Sequence, residues 1–290
     1  KEATVENVEV GATVTAYQIV KGDYNQDGLK GYIKTSDSLN IAQVTAPTSD
    51  EVTAIATGII NGSISNLPSE LMTGAADTDE DGYTTYTADL KAGYWIVLVT
   101  GTDIIEVYNP MLVGVYYSVS GSDNTMTSKP VDANDNWTLV TSNAYAKSTK
   151  PTIDKTIVDG DESTAIGDRV NFQISTAIPS YSDQYNEVKV VISDTLSEGL
   201  TLDHNSIEIM IGDTEYIAGD ALLASDNGFV LTLPSKDALG NSGKTVVITY
   251  SATLNENAAI NFDPNTNTAE LEYSNNPSNV NDTEKVNDKT

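Results

Sequence analysis

The sequence predicts an all-β protein built as two antiparallel β-sandwiches in tandem, and three observations carry that reading. Short runs rich in Val, Ile, Thr and Tyr recur along the whole chain. Clusters of Gly, Asn, Asp, Ser and Pro, the residues that turns demand, separate them. The length of 290 residues is long for one sandwich and comfortable for two domains of about 100–150 residues each.

The strand runs fall at residues 12–20, 94–100, 112–119, 169–175, 188–192, 245–254 and 269–273. Fifteen tyrosines against three phenylalanines suit half-buried strand positions with one wet end. Residues 49–60 are expected to form a helix: Ser49, Asp50 and Glu51 can cap it, and Val52, Ile55, Ile59 and Ile60 fall near one face. A short helical turn is expected at 69–73. Residues 132–135 form an acidic turn, 137–146 a last strand, and Lys147-Ser-Thr-Lys-Pro151 a short polar connector. The domains are therefore expected to span 1–148 and 149–290.

Composition removes whole classes of function. With no cysteine, disulfides and thiolate metal sites are excluded, so a secreted chain of this kind must find stiffness elsewhere. Fifteen Lys and Arg against 42 Asp and Glu give a net charge of −27, which argues against nucleic acid or anionic lipid as partner. No apolar run approaches the roughly 18 residues of a membrane span. The chain opens at Lys1 without Met or a leader pattern, as expected of a mature or trimmed form. His204, the single histidine, stands in a polar stretch with no triad pattern, and neither a phosphate loop nor a nucleophile elbow is present. A conventional enzyme is not expected.

Three residues of the second half suggest a different chemistry. Lys155 lies in Lys-Pro-Thr-Ile-Asp-Lys-Thr-Ile (150–157), Asp194 in Ser-Asp-Thr-Leu-Ser-Glu-Gly-Leu-Thr (193–201), and Asn267 in Asn-Thr-Ala-Glu-Leu-Glu-Tyr-Ser-Asn-Asn-Pro (267–277). The first and third segments alternate like strands, and Asp194 lies just past the apolar run 190–192. A Lys and an Asn on neighbouring strands of one core, beside a carboxyl group, can condense to an amide and release ammonia. These segments stand in order with Ile-Gly-Asp-Arg-Val-Asn-Phe (166–172), Ala-Ile-Pro (177–179), Ser-Glu-Gly-Leu (197–200) and Tyr-Ser-Ala-Thr-Leu (250–254). Together, over roughly 148–277, they closely resemble the isopeptide-forming second domain of sortase-assembled Gram-positive backbone pilins.

The resemblance implies immunoglobulin-like sandwiches of the Cna-B type and a self-made cross-link from Lys155 to Asn267, promoted by Asp194. Asn265, two residues earlier, is the rival for the Asn role. For the reaction, burial must keep Lys155 neutral and nucleophilic, and Asp194 protonated to polarise the amide carbonyl and shuttle protons. Holding the partners in contact is worth roughly 7–11 kcal/mol of barrier. The bond should stabilise the fold by roughly 2–4 kcal/mol, as a disulfide does, while ignoring reductant. It is expected to join the first and last strands of the domain and so to carry pulling force past the core.

Asn-Ala-Tyr-Ala-Lys147, with Trp137 upstream, resembles the pilin motif whose lysine attacks the sortase-bound C-terminus of the next subunit; Lys150 is the alternative acceptor. The family usually has Tyr-Pro-Lys where this chain has Tyr-Ala-Lys. The first domain resembles its counterpart more loosely, through Glu106-Val-Tyr-Asn-Pro-Met111 and Ala92-Gly-Tyr94, and shows no Lys/Asn/acid trio. Expected partners are therefore neighbouring pilins and a pilus-specific sortase, on a fibre anchored in the wall of a Gram-positive cell. A tip pilin or adhesin with a host surface ligand is the other reading. No cofactor is required, but two turns are candidate calcium sites: Asp23, Asn25 and Asp27, and Asp77, Asp79 and Asp81, each spaced like the first half of an EF-hand loop. Both lack the twelfth-position Glu, which is Lys34 in one and Ala88 in the other. Residues 284–290 carry no sorting signal and are expected to approach a further domain.

Overall fold

The computed structural model describes residues 1–26, 28–76, 81–101, 104–119, 137–158, 165–259 and 265–290. It divides into two compact units: Lys1–Ser148 with Ser182–Asn186 and Asn276–Ser278, and Thr149–Tyr181 with Glu187–Asn275 and Asn279–Thr290.

In the first unit the chain runs β1 (Glu2–Glu9), β2 (Thr13–Asn25), β3 (Gly28–Lys34), α1 (Ser49–Ile60), β4 (Ser69–Leu71) and β5 (Thr73–Gly74). It continues through β6 (Tyr83–Asp89), β7 (Gly93–Thr100), β8 (Val107–Tyr108), β9 (Met111–Val119), β10 (Trp137–Ser142), β11 (Ala144–Tyr145) and β12 (Ser148–Thr149). One sheet has the order β11-β1-β6-β5; the other is β10-β9-β7-β2-β3 with β4 on β2. Alternation decides the layers. Val14 and Ala16 of β2 and Trp95, Val97 and Val99 of β7 turn toward the first sheet, where Ala3, Val5, Val8 and Tyr86 meet them. Ile96 and Leu98 point the other way and pack with Ile19, Val20, Val52 and Ile55, so α1 covers the outer face.

The helix starts where its cap dictates. Thr48 Oγ1 accepts the Glu51 N–H while the Glu51 carboxylate accepts the Thr48 N–H, a reciprocal capping box that sets the cap one residue before Ser49. The helical turn expected at 69–73 is not formed: Ser69–Leu71 pairs with β2 and Thr73–Gly74 with β6. These are short edge strands whose side chains face solvent, so they lack the apolar alternation by which strands are read. The stretch expected as one last strand breaks at Asn143 into β10 on β9 and β11 on β1, which places it in both sheets. The acidic turn expected at 132–135 lies outside the described residues.

The second unit holds β13 (Ile153–Val158), β14 (Arg169–Ala177), β15 (Val190–Leu196), β16 (Leu200–Leu202), β17 (Glu208–Ile211) and β18 (Thr214–Glu215). Then come β19 (Leu222–Ser225), β20 (Gly228–Leu233), α2 (Ser235–Gly240), β21 (Thr245–Leu254), β22 (Asn267–Ser274) and β23 (Thr283–Lys289). Its sheets are β13-β14-β21-β17-β18, with β16 on β21, and β19-β20-β15-β22-β23. Between them lie Val170, Phe172 and Ile174 of β14, Val246, Ile248 and Tyr250 of β21, Val190 and Ile192 of β15, and Leu271 and Tyr273 of β22, all buried. Both units are thus immunoglobulin-like sandwiches, with a short helix on the first. Residues 284–289 form most of β23, in register with β22 from Thr268↔Lys289 to Ser274↔Thr283.

Candidate functional site

Period-two alternation places four polar side chains inside the second sandwich. On β13 the inward positions are Ile153 and Lys155, and on β15 Val190, Ile192, Asp194 and Leu196. On β22 the inward series opens with Asn267, followed by Ala269, Leu271 and Tyr273. Tyr250 occupies the corresponding row of β21, directly opposite Phe172 of β14. Asp194 is therefore an inward residue within its strand and does not lie past its end, as the sequence suggested.

Lys155 is 5 %, Asp194 3 %, Tyr250 3 % and Asn267 1 % exposed, so all four are withdrawn from water. Lys155 Nζ lies 2.5 Å from Asp194 Oδ2. The same nitrogen is in hydrogen-bond contact with the Tyr250 hydroxyl. Asn267 Nδ2 donates to that hydroxyl at 2.9 Å. β13 and β22 are close neighbours in the core without sharing a hydrogen-bonded ladder: they belong to different sheets, and Lys155 and Asn267 have the Tyr250 hydroxyl as common partner. The pair does not join first and last strands, because Asn267 opens the penultimate strand and β23 follows it.

Burial dominates the electrostatics. It pushes the Lys155 amine below its ordinary range, against the attraction of Asp194. It pushes the Asp194 carboxyl up, against the same attraction. Tyr250 is raised as well, by burial first and then by Asp194. Both shifts weaken the charged form of the pair. Two acceptors, Asp194 Oδ1 and Asn267 Oδ1, are buried without a hydrogen-bond partner, which is costly unless a proton is supplied.

The aromatic surroundings fix the geometry. Lys155 Nζ lies 5.1 Å from the Phe172 ring centre and 4.9 Å from that of Tyr250. Phe172 stacks on Tyr250 at 5.5 Å and 21°, and Phe229 meets it edge-on at 5.2 Å and 83°. Gly228 lets β20 approach the acid closely: its φ is +136°, and a Cβ there would stand 2.0 Å from the Asp194 carbonyl oxygen.

The end of β23 ties β13 and β22 together. Asp288 Oδ2 accepts the Lys155 N–H at 2.8 Å, and Thr290 Oγ1 donates to the Lys155 carbonyl at 3.0 Å. Thr290 also exchanges both backbone hydrogen bonds with Asn267. Sequence reasoning missed Tyr250, Asp288 and Thr290. Only Tyr250 carried a signal, the inward row Val246, Ile248, Tyr250.

The remaining expected residues lie elsewhere. Asn265 turns to the Ala259 backbone, accepting its N–H at 2.8 Å and donating to its carbonyl at 3.2 Å, and does not join the cluster. Lys147 is exposed in the first unit and lines a cleft of about 300 Å³ with Asn109, Met111 and Tyr145. Its carbonyl accepts the Asn109 N–H, and neighbouring Ser148 donates to the buried Glu106 carboxylate. Lys150 is also exposed. Of the calcium candidates, Asp23 lies 3.4 Å from the Lys30 ammonium, Asn25 ends β2, and Asp81 accepts the Tyr83 N–H. Asp27, Asp77 and Asp79 lie outside the described residues. Among the described residues no three His, Cys, Asp or Glu side chains group as metal ligands.

Comparison with known proteins follows the same division. Residues 1–154 match the family described as T6 antigen Ig-like domain, and residues 166–277 that described as Gram-positive pilin backbone subunit 2, Cna-B-like domain. The chain is 32 % identical over 294 residues to the trypsin-resistant surface T6 protein of Streptococcus pyogenes serotype M6, covering 94 % of this chain and 52 % of that protein. It spans about half the length of this curated relative. The solved T6 backbone pilin of serotype M6 Streptococcus pyogenes superposes with a TM-score of 0.74 at 27 % identity, over 100 % of this chain and 63 % of that one. The full-length major pilin SpaD of Corynebacterium diphtheriae shares the fold, with a TM-score of 0.50 at 18 % identity over 100 % and 63 % of the two chains. On these matches, which cover both sandwiches, the chain belongs to the backbone pilins of Gram-positive bacteria.

Proposed function

We propose that this chain is a shaft subunit of a covalently polymerised surface pilus, and that its second unit closes an amide between Lys155 and Asn267 with Asp194 as promoter. The observation that carries the reading is the contact of Lys155 with Asp194 at 2.5 Å, both side chains fully buried, beside the Asn267 carboxamide. A structural ion pair in that position would be expensive, because two charges must leave water. A neutral amine and a neutral acid avoid that cost and form the pair that amide exchange needs.

The chemistry uses what the pocket holds. The Lys155 lone pair attacks Asn267 Cγ, the carbonyl electrons move to Oδ1, and the acid proton of Asp194 supplies the donor that this oxygen lacks. One proton then passes from the attacking nitrogen to Nδ2, collapse of the adduct expels ammonia, and Oδ1 returns its proton to Asp194. Nothing external is consumed, so the chain acts once, on itself, and is not an enzyme in the ordinary sense. Lys147, exposed beside a cleft in the first unit, is the amine we assign to the pilus-specific sortase, with neighbouring pilins as covalent partners. The working place of such a fibre is the outer surface of the cell wall.

Intact mass tests the reading. Wild type should weigh one ammonia less than its sequence, and Asp194→Ala should show the full mass. A folded wild type at full mass overturns the cross-link.

A further inference from the structure

We propose that the Tyr250 hydroxyl is the proton relay of the cross-linking reaction, a role distinct from that of Asp194; the inference rests on the Lys155–Asn267 reading above. Amide exchange has two separate proton problems. The carbonyl oxygen must be charged and discharged, and one proton must travel from the attacking nitrogen to the departing one. An amide anion does not leave, so Nδ2 has to be protonated before the Cγ–Nδ2 bond can break.

The Tyr250 hydroxyl is in hydrogen-bond contact with both nitrogens, and Asp194, hydrogen-bonded to Tyr250 and Asn267, stands beside it. Tyr250 touches Lys155 Nζ on one side and receives the Nδ2 hydrogen bond of Asn267 at 2.9 Å on the other. Asp194 Oδ2 is in contact with the attacking nitrogen, while its other oxygen lacks a partner, as the Asn267 carbonyl oxygen does. The phenol thus bridges the two nitrogens, with the acid beside it to serve the carbonyl oxygen.

The direction of the Tyr250–Asn267 hydrogen bond reverses during the reaction, which is what a relay requires. In the planar carboxamide the nitrogen lone pair is delocalised, so Nδ2 can only donate. Attack makes Cγ tetrahedral, restores a basic lone pair to Nδ2, and makes Nζ positively charged. The oxygen of Tyr250 then takes a proton from Nζ while its own proton passes to Nδ2. The Cγ–Nδ2 bond breaks, ammonia leaves, and Oδ1 returns its proton to Asp194. Both helpers finish as they began, and the sum is amine plus primary amide giving secondary amide plus ammonia. Burial holds Tyr250 in the protonated form that can give before it takes. Phe172 stacks on the ring and Phe229 meets it edge-on, which helps to hold it in place.

The experiment is a mass time course on Tyr250→Phe, which keeps the ring and removes only the hydroxyl. Wild type and Asp194→Ala run beside it, with Asp194→Ala/Tyr250→Phe as the folding control. We expect wild type one ammonia light, and Tyr250→Phe losing ammonia at least about 100-fold more slowly. The double variant should melt with Asp194→Ala, since neither is cross-linked. A full-mass wild type would remove the cross-link itself. If Tyr250→Phe matures as fast as wild type, the cross-link stands and the relay falls. Should the double variant lose the fold that Asp194→Ala keeps, the hydroxyl is structural and the relay is likewise overturned.

Discussion

Asp194 and Asn267 are diagonal neighbours on the inward face of one β-ladder. Asp194 stands opposite Ala269 and Leu196 opposite Asn267, so the acid and the amide sit on adjacent inward rungs of β15 and β22. The register of two strands thus sets the distance between promoter and electrophile, and a slip of one residue would turn one of them outward.

That register separates the two candidate asparagines. Asn267→Ala should abolish the loss of ammonia, whereas Asn265→Ala, whose side chain serves only the Ala259 backbone, should retain it. Intact mass decides, with peptide mapping to place the bond. Without the cross-link the second unit should lose roughly 2–4 kcal/mol of stability, read from denaturant midpoints.

The opposed displacements of Lys155 and Asp194 predict how cross-linking depends on pH. The reactive form holds a neutral amine and a protonated acid. Lowering the pH protonates Lys155 and removes the nucleophile; raising it ionises Asp194 and removes the promoter. Chain refolded from denaturant into a series of buffers should therefore cross-link with a bell-shaped profile. Its acid limb belongs to the amine and its alkaline limb to the acid, each a property of the coupled pair. A rate that climbs steadily with pH, as for a free lysine, would contradict the neutral pair.

Gly228 offers a test that touches no reacting group. Gly228→Ala places a Cβ against the Asp194 carbonyl and forces an L-residue into a positive-φ conformation. The expected result is a loss of roughly 1–3 kcal/mol together with slower cross-linking, as β15 shifts to relieve the clash. Thermal melts and the mass time course read the two effects separately.

For polymer formation, Lys147→Ala should abolish the high-mass ladder made with a cognate sortase while leaving the internal ammonia loss intact. Lys150→Ala should leave both. A ladder that persists in Lys147→Ala and vanishes in Lys150→Ala would move the acceptor three residues on.

Legibility in the sequence followed alternation. Lys155 and Asn267 could be placed because their strands carry apolar residues at every second position. Asp194 follows the apolar run 190–192, and only Leu196, which continues the inward row, marks it as still within the strand. Edge strands were the least visible. β23 reads Thr-Glu-Lys-Val-Asn-Asp-Lys, with one aliphatic residue, and part of what holds it is the cross-strand Lys285–Glu270 pair at 2.7 Å. That β13 and β22 belong to different hydrogen-bonded sheets could not be read at all, since periodicity gives the face of a residue and not the sheet to which its strand belongs.

The last strand also sets an order of events. Asp288 and Thr290 grip Lys155, and Thr290 pairs with Asn267, so the spacing of the two residues proposed to react depends on β23 being in place. Any bond between them is written after the sandwich is otherwise finished. Under the proposed cross-link it would act as a seal of inspection: a chain stalled short of Thr290, or one whose sheets have mispaired, would keep its ammonia, and only a correctly built unit would be made permanent.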